Sequence, residues 1–235
     1  MPPKQTVLTL AGTALALLLF VWIGVRAYGG NVSALLHMDE QFGQRYAVPA
    51  GVVLYKDAGY DGMLYYQIAR EVPAVFAGGN VSFDSAYRFQ RILLPLFAYG
   101  TALGNEQALP YTILLVNLAA AMGALAFVLS MMPGKTLHAL TVVANPAILV
   151  GIVYSLTEPL SLLFVAAFFW VWEKNGRTLT LLSLLLLLLS LLARETTVFL
   201  IALLLVWFVW RRQWKQALLV LAPVALPAII KVTKP

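Results

Sequence analysis

Between residues 178 and 211 the chain is almost wholly apolar, and only Ala193-Arg194-Glu195-Thr196 interrupts it. One unbroken helix over that stretch would be about 50 Å long, far beyond the roughly 30 Å hydrocarbon core of a bilayer. The chain must therefore turn near Arg194-Glu195, with an arginine and a glutamate at the turn.

The rest of the sequence follows the same pattern. Seven apolar runs are long enough to span, or nearly so: 6–28, 109–131, 136–154, 158–173, 178–193, 196–211 and 215–231. Charged residues make up 11% of the chain and hydrophobic ones 61%, whereas soluble domains carry roughly a quarter charged residues. The expectation is an all-α polytopic membrane protein of about seven transmembrane helices, a single transmembrane domain over 1–235. The first run follows Lys4 and is about 20 residues long, enough to span. "RAYGG" after it makes a poor cleavage site, which points to an uncleaved anchor.

Cysteine is absent, which excludes disulfides and thiolate chemistry. His37 and His138 lie far apart in the chain, against a histidine zinc site. The net charge of +6 sits in loops between apolar runs, where topology and lipid headgroups account for it without nucleic acid.

Segment 92–104, "ILLPLFAYGTALG", rises only about 20 Å as a helix, and Pro95 and Gly100 weaken it. If it spans and the N-terminus is cytoplasmic, "KNGR" (174–177) and "RRQWK" (211–215) fall outside, against the positive-inside tendency. As a short or re-entrant segment it reverses the parity. Lys4, Lys135, Lys174, Arg177, Arg211, Arg212 and Lys215 then all become cytoplasmic. The extracytoplasmic loop 29–91, "YSLTEP" (154–159) and "ARET" (193–196) then share the outer face.

Loop 29–91 is the long hydrophilic stretch, with Asp39, Glu40, Asp57, Asp61, Glu71 and Asp84. In it "DGMLYYQIAREV" reads as a short amphipathic helix with tyrosines suited to the interface. Asp61 suits the N-cap of that helix. It also suits a general base, a carboxylate beside tyrosines that takes a proton from an acceptor hydroxyl. Asp57 is the main alternative for that role, with Asp39 and Glu40 behind it. Tyr65 lies four residues on, near the same helix face. Arg88 and Arg91 are three apart. They read either as snorkelling residues or as a fork of donors for a phosphate. Thr157 suits the cap of a helix beginning at Pro159, and Glu158 suits its dipole, although an ionisable residue at that depth is also a functional candidate. Arg194 and Glu195 are adjacent and so pair with other segments, Arg194 for instance with Glu158. Arg194 thereby either closes the bundle or offsets a lipid phosphate. Asn145-Pro146 marks a kink. "NVS" at 31–33 and 80–82 matches a glycosylation sequon.

The ordered blocks "YDGMLYYQIA", "YRFQRILLPL", "YSLTEPLS" and "ARET" resemble the GT-C class of membrane glycosyltransferases, most nearly the bacterial relatives of PIG-V-type mannosyltransferases. Uncharacterised bacterial membrane proteins with the same blocks are similar as well. The resemblance covers roughly 55–200. The chain differs from the family in having Tyr60 where the family has Trp, one proline in "RILLPL" and Pro159 after Glu158. It is also short for the class.

The resemblance implies a GT-C-like core in the bacterial cytoplasmic membrane and a polyprenyl-phosphate sugar used on the outer face. Asp61 is then the base of an inverting transfer, with Asp57 as its alternative. Arg88, Arg91, Glu158, Arg194 and Tyr65 are then the residues about the lipid phosphate and donor. No metal is required, although Asp57, Asp61 and Glu158 would suit one if they converge. Membrane lipids and the lipid-linked donor are the expected partners. The competing expectation is a non-catalytic protein that binds or translocates lipid-linked glycans. An ion or proton transporter ranks last, because the acidic residues cluster at span ends.

Overall fold

A computed structural model describes residues 3–78 and 90–225. Among these residues the chain is mostly helical, with eleven α-helices and one two-stranded parallel ribbon. Helix α1 (Pro3–Val25) runs into a tight helical turn at Arg26–Tyr28. With that turn it is one of two helices long and apolar enough alone to cross a membrane. The other is α5 (Leu109–Met131) with the turn before it.

Helices α6 (Thr136–Val143) and α7 (Pro146–Val153) together meet the same test across a 42° bend. The bend falls at the Asn145-Pro146 kink. Pro146 cannot donate to the preceding turn, and the Asn145 side chain restarts the helix by accepting from the Ala147 amide at 2.9 Å. α8 (Glu158–Lys174), α9 (Leu181–Ala193), α10 (Thr197–Trp210) and α11 (Trp214–Leu219) follow. The apolar helices are consistent with an integral membrane protein. The last part of run 215–231 lies outside the described residues.

α5 and α8 pack along each other, and α8 also packs on α9. Three apolar clusters result. Ile113, Leu94, Tyr66 and Leu160 centre the first, Leu125, Ile152 and Val21 the second, and Phe168, Leu187 and Phe208 the third. The turn required near Arg194-Glu195 is present, since α9 stops at Ala193 and α10 starts at Thr197. A buried cluster of hydroxyls joins the helices just inside it. Ser161 of α8 lies 3.0 Å from Ser190 of α9, and Ser190 lies 2.9 Å from Thr197 of α10. Interhelical hydroxyl pairs of this kind hold helices together where apolar burial gives little preference.

Residues 29–78 form a cap on one end of the bundle. Strands β1 (Met38–Asp39) and β2 (Leu54–Tyr55) pair in parallel, with Met38 opposite Leu54. Asn31 is engaged locally, its amide donating to the Gly51 carbonyl at 2.7 Å. The second sequon lies outside the described residues. α2 (Glu40–Arg45) follows β1, and α3 (Asp61–Phe76) follows β2.

α3 differs from the interfacial helix expected of it. Tyr65 and Tyr66 are 3% and 1% exposed and sit in the first apolar cluster rather than facing lipid headgroups. The short segment expected at 92–104 is α4 (Leu93–Ala102), ten residues. It runs alongside α3. Arg91, before it, reaches Asp61, while Glu106, beyond it, pairs with Arg70 of α3 at 3.1 Å.

Candidate functional site

The N-terminus of α3 is pressed onto the turn between α7 and α8. A Cβ on Gly62 would collide with the Tyr154 carbonyl and stand 2.9 Å from the Leu36 carbonyl. Just before it, the Tyr60 amide donates to the His37 carbonyl at 2.9 Å. Three stretches distant in sequence are thereby fixed together at one end of the bundle.

Asp61 is the first residue of α3 and not its cap. Tyr60 holds the cap position and offers no side-chain bond there. The Asp61 carboxylate turns instead to Arg91, whose Nη1 donates to Oδ2 at 3.2 Å. The same Nη1 donates to the Tyr65 hydroxyl at 2.9 Å, so the expected proximity of Asp61 and Tyr65 is realised through one guanidinium. Burial pushes the Tyr65 phenol above its ordinary pKa, with Arg91 opposing the shift.

The rest of the Arg91 fork belongs to Glu195. Nε donates to Oε2 at 2.7 Å and Nη2 to Oε1, the bidentate geometry in which guanidinium binds carboxylate best. That bond raises the Arg91 pKa further, so its charge is permanent. The Asp61 side chain stays 49% exposed, against 22% for Arg91 and 32% for Glu195.

A second ion pair stands next to the first. Arg194 pairs with Glu158, the partner its sequence position suggested. Oε2 of Glu158 is buried without a hydrogen-bond partner among the described residues. Thr157 does not cap α8 through its side chain; it is fully buried and lies against the Tyr65 hydroxyl. The cluster thus holds two arginines and three carboxylates. Its formal charge is negative by one, and both arginines already have carboxylate partners.

Asp57 stands apart in an exposed turn after β2. Asp39 caps α2 by accepting from the Phe42 amide at 2.7 Å, and Glu40 is exposed on α2. Arg88, the expected companion of Arg91, lies outside the described residues. Among the described residues no group of three or more His, Asp or Glu is placed to hold a metal ion.

Two features of this end were not anticipated from sequence. One is a row of rings. Tyr60 packs on Tyr154 with centroids 4.8 Å apart, and Tyr154 packs on His37 at 4.8 Å. His37 stacks on Tyr55 at 4.2 Å, and Tyr28 meets Tyr55 edge-on at 5.5 Å. His37 adopts a left-handed backbone, φ 48°, to enter the row, and burial holds its imidazole below the ordinary pKa. The other is a polar network on a different face of α3. There Arg70 binds Glu106 and the Tyr46 carbonyl, and buried Gln67 donates to Glu71 at 2.9 Å. Surface hollows of about 440 and 490 Å³ open near that face, the second between Arg45, Gln67, Arg70 and Glu106. Neither is lined by Asp61, Arg91, Glu158 or Arg194.

Comparison of the chain with protein-family models, with curated proteins and with solved structures gave no match.

Proposed function

We propose that the chain is a membrane glycosyltransferase that moves a sugar from a polyprenyl-phosphate carrier to an acceptor hydroxyl. The observation that carries this reading is the Asp61 carboxylate. It is half exposed, held in place by Arg91, and stands where three polar stretches meet at one end of an apolar bundle. A structural ion pair would not need its carboxylate open to solvent. A base that receives a proton from a bound hydroxyl does.

In the proposed reaction the acceptor oxygen gives its proton to Asp61 and bonds to the anomeric carbon. The bond from that carbon to the carrier phosphate breaks, and the phosphate leaves with the electron pair. The configuration inverts because attack and departure are on opposite sides. Asp61 then releases the proton to water. Arg91 fixes the carboxylate, and a lipid phosphate would have to share Arg91 with Glu195 and Arg194 with Glu158. In this reading α8, α9 and α10 cross the membrane with α1, α5 and the α6–α7 pair. α11 begins a seventh span in a GT-C-like core. The N-terminus and the basic turns at 135, 174–177 and 211–215 face the cytoplasm of a bacterial inner membrane, in keeping with the positive-inside tendency.

One observation favours the second reading, a non-catalytic protein that binds or translocates lipid-linked glycans. Both arginines of the cluster already hold carboxylate partners, as expected of ion pairs that only close a bundle. The two separate on Asp61→Asn, assayed in vesicles with radiolabelled polyprenyl-phosphate mannose. Loss of transfer by about 10²–10⁴-fold in a folded protein fits a base. Transfer at the unchanged rate rules Asp61 out of that role.

A further inference from the structure

The ring row ends beside the candidate base. Tyr60 is 48% exposed and immediately precedes Asp61 in the chain. Its ring is backed by Tyr154, then by His37 and Tyr55. The backbone is held as firmly, through the Tyr60 amide on the His37 carbonyl and the close approach of Gly62 to Tyr154. An exposed aromatic on a helix end ordinarily swings freely. This one packs on Tyr154, which His37 and Tyr55 back in turn, and it is fixed at its own amide, so part of its freedom is already lost before a ligand binds.

The face of an aromatic ring carries partial negative charge. It attracts the slightly positive axial C–H groups on the flat side of a pyranose, and the hydroxyls at the sugar's rim then reach polar neighbours. Beside Tyr60 that neighbour is the half-exposed Asp61 carboxylate, which accepts hydrogen bonds only. The pairing of a rigid aromatic shelf with a carboxylate at its edge suits a neutral sugar ring. At the shelf itself a phosphate would find in Asp61 only acceptors and no donor.

We infer that Tyr60 is a binding residue for a pyranose, and that the acceptor hydroxyl is carried on a sugar ring stacked there. This rests on the transferase reading for the word acceptor, but the ring site itself does not. In this arrangement the stacked ring presents one rim hydroxyl to Asp61, and Tyr154 sets the height of the shelf.

The test is saturation-transfer NMR on the full chain in detergent, with methyl glucoside, methyl galactoside and methyl mannoside as probes. The wild type should saturate the axial C–H protons of at least one of them. Tyr60→Phe should bind as the wild type does. Tyr60→Leu, which keeps apolar bulk without a π face, should bind about tenfold more weakly, with an unchanged unfolding temperature. Asp61→Asn should keep the C–H contact. Equal binding by Tyr60→Leu and the wild type overturns the inference, as does failure of all three probes to bind the wild type. A wild type that transfers mannose to a non-sugar acceptor without binding the glycosides refutes the sugar acceptor and leaves the transferase reading standing. Glycoside binding that depends on Tyr60 in a protein that transfers nothing keeps the site and refutes the enzyme.

Discussion

Gly62 lies directly beneath the Tyr154 carbonyl, at a separation that leaves no space for a methyl group. Helix α3 and the α7–α8 turn therefore meet backbone to backbone. The contact sets where Asp61, one residue earlier, can stand. Gly62→Ala must push against two carbonyl oxygens, those of Tyr154 and Leu36, neither of which can rotate away. The expected cost is about 1–3 kcal/mol, read as a lower unfolding temperature in detergent. A Gly62→Ala protein as stable as the wild type would mean that α3 is not docked this way.

Arg91 serves Asp61 and Glu195 at once, and only a planar fork can do so. Glu195→Gln removes the charge from the bidentate side of a partly buried pair, and Arg91→Lys removes the fork. Each is expected to cost about 1–3 kcal/mol and to free the Asp61 carboxylate from its fixed position. Thermal unfolding measures the first effect. If both variants unfold with the wild type, the pair is an exposed contact of little consequence.

For Glu158 and Arg194 the informative variant is the double one. Either single change to Gln strands a charge that the fold has largely removed from water, the Glu158 side chain being 16% exposed and that of Arg194 28%. Removing both strands neither. The double variant is expected to be more stable than either single one, with a coupling of about 1–3 kcal/mol in the cycle. Strictly additive losses would show that the two residues do not act as a pair.

His37 gives the fold a pH dependence of known sign. Burial between Tyr55 and Tyr154 lowers its folded pKa, while the unfolded imidazole titrates at about 6.5. Above that pH both states are neutral and His37 contributes nothing. As the pH falls below it, the unfolded chain binds more protons and stability is lost, by at most about 1.4 kcal/mol per pH unit. His37→Phe keeps a ring in the row and removes the proton. Subtracting its unfolding temperatures from those of the wild type between pH 7 and pH 5 should leave a difference that grows toward acid. A flat difference would place His37 in water.

Much of the frame was legible in the sequence because it follows from length. A run from 178 to 211 has to turn, Asn145-Pro146 suits a kink better than a ligand site, and a thirteen-residue segment at 92–104 is short for a full crossing. Charge parity put loop 29–91, the 154–159 turn and "ARET" on one face, and among the described residues Gly62 meets Tyr154, Arg91 meets Glu195 and Arg194 meets Glu158. What could not be read was the company each side chain keeps. Asp61 has the local signature of a cap, and only Arg91, 30 residues on, draws it elsewhere. The pattern of α3 specifies an apolar face but not whether lipid or α4 and α5 cover it. The ring row joins positions 28, 37, 55, 60 and 154, and no local window contains it.

The 104 residues between Arg91 and Glu195 also bear on how the protein is made. At roughly 5–20 residues per second of synthesis, Arg91 emerges about 5–20 s before its bidentate partner exists. Until the turn before α10 is made, the cap of residues 29–78 has no second turn to close against, and Arg91 is held only by Asp61 and Tyr65. Assembly of this end is therefore a late event in biogenesis. A nascent chain halted anywhere before Glu195 would carry every upstream element of the site and still leave Arg91 without its strongest contact.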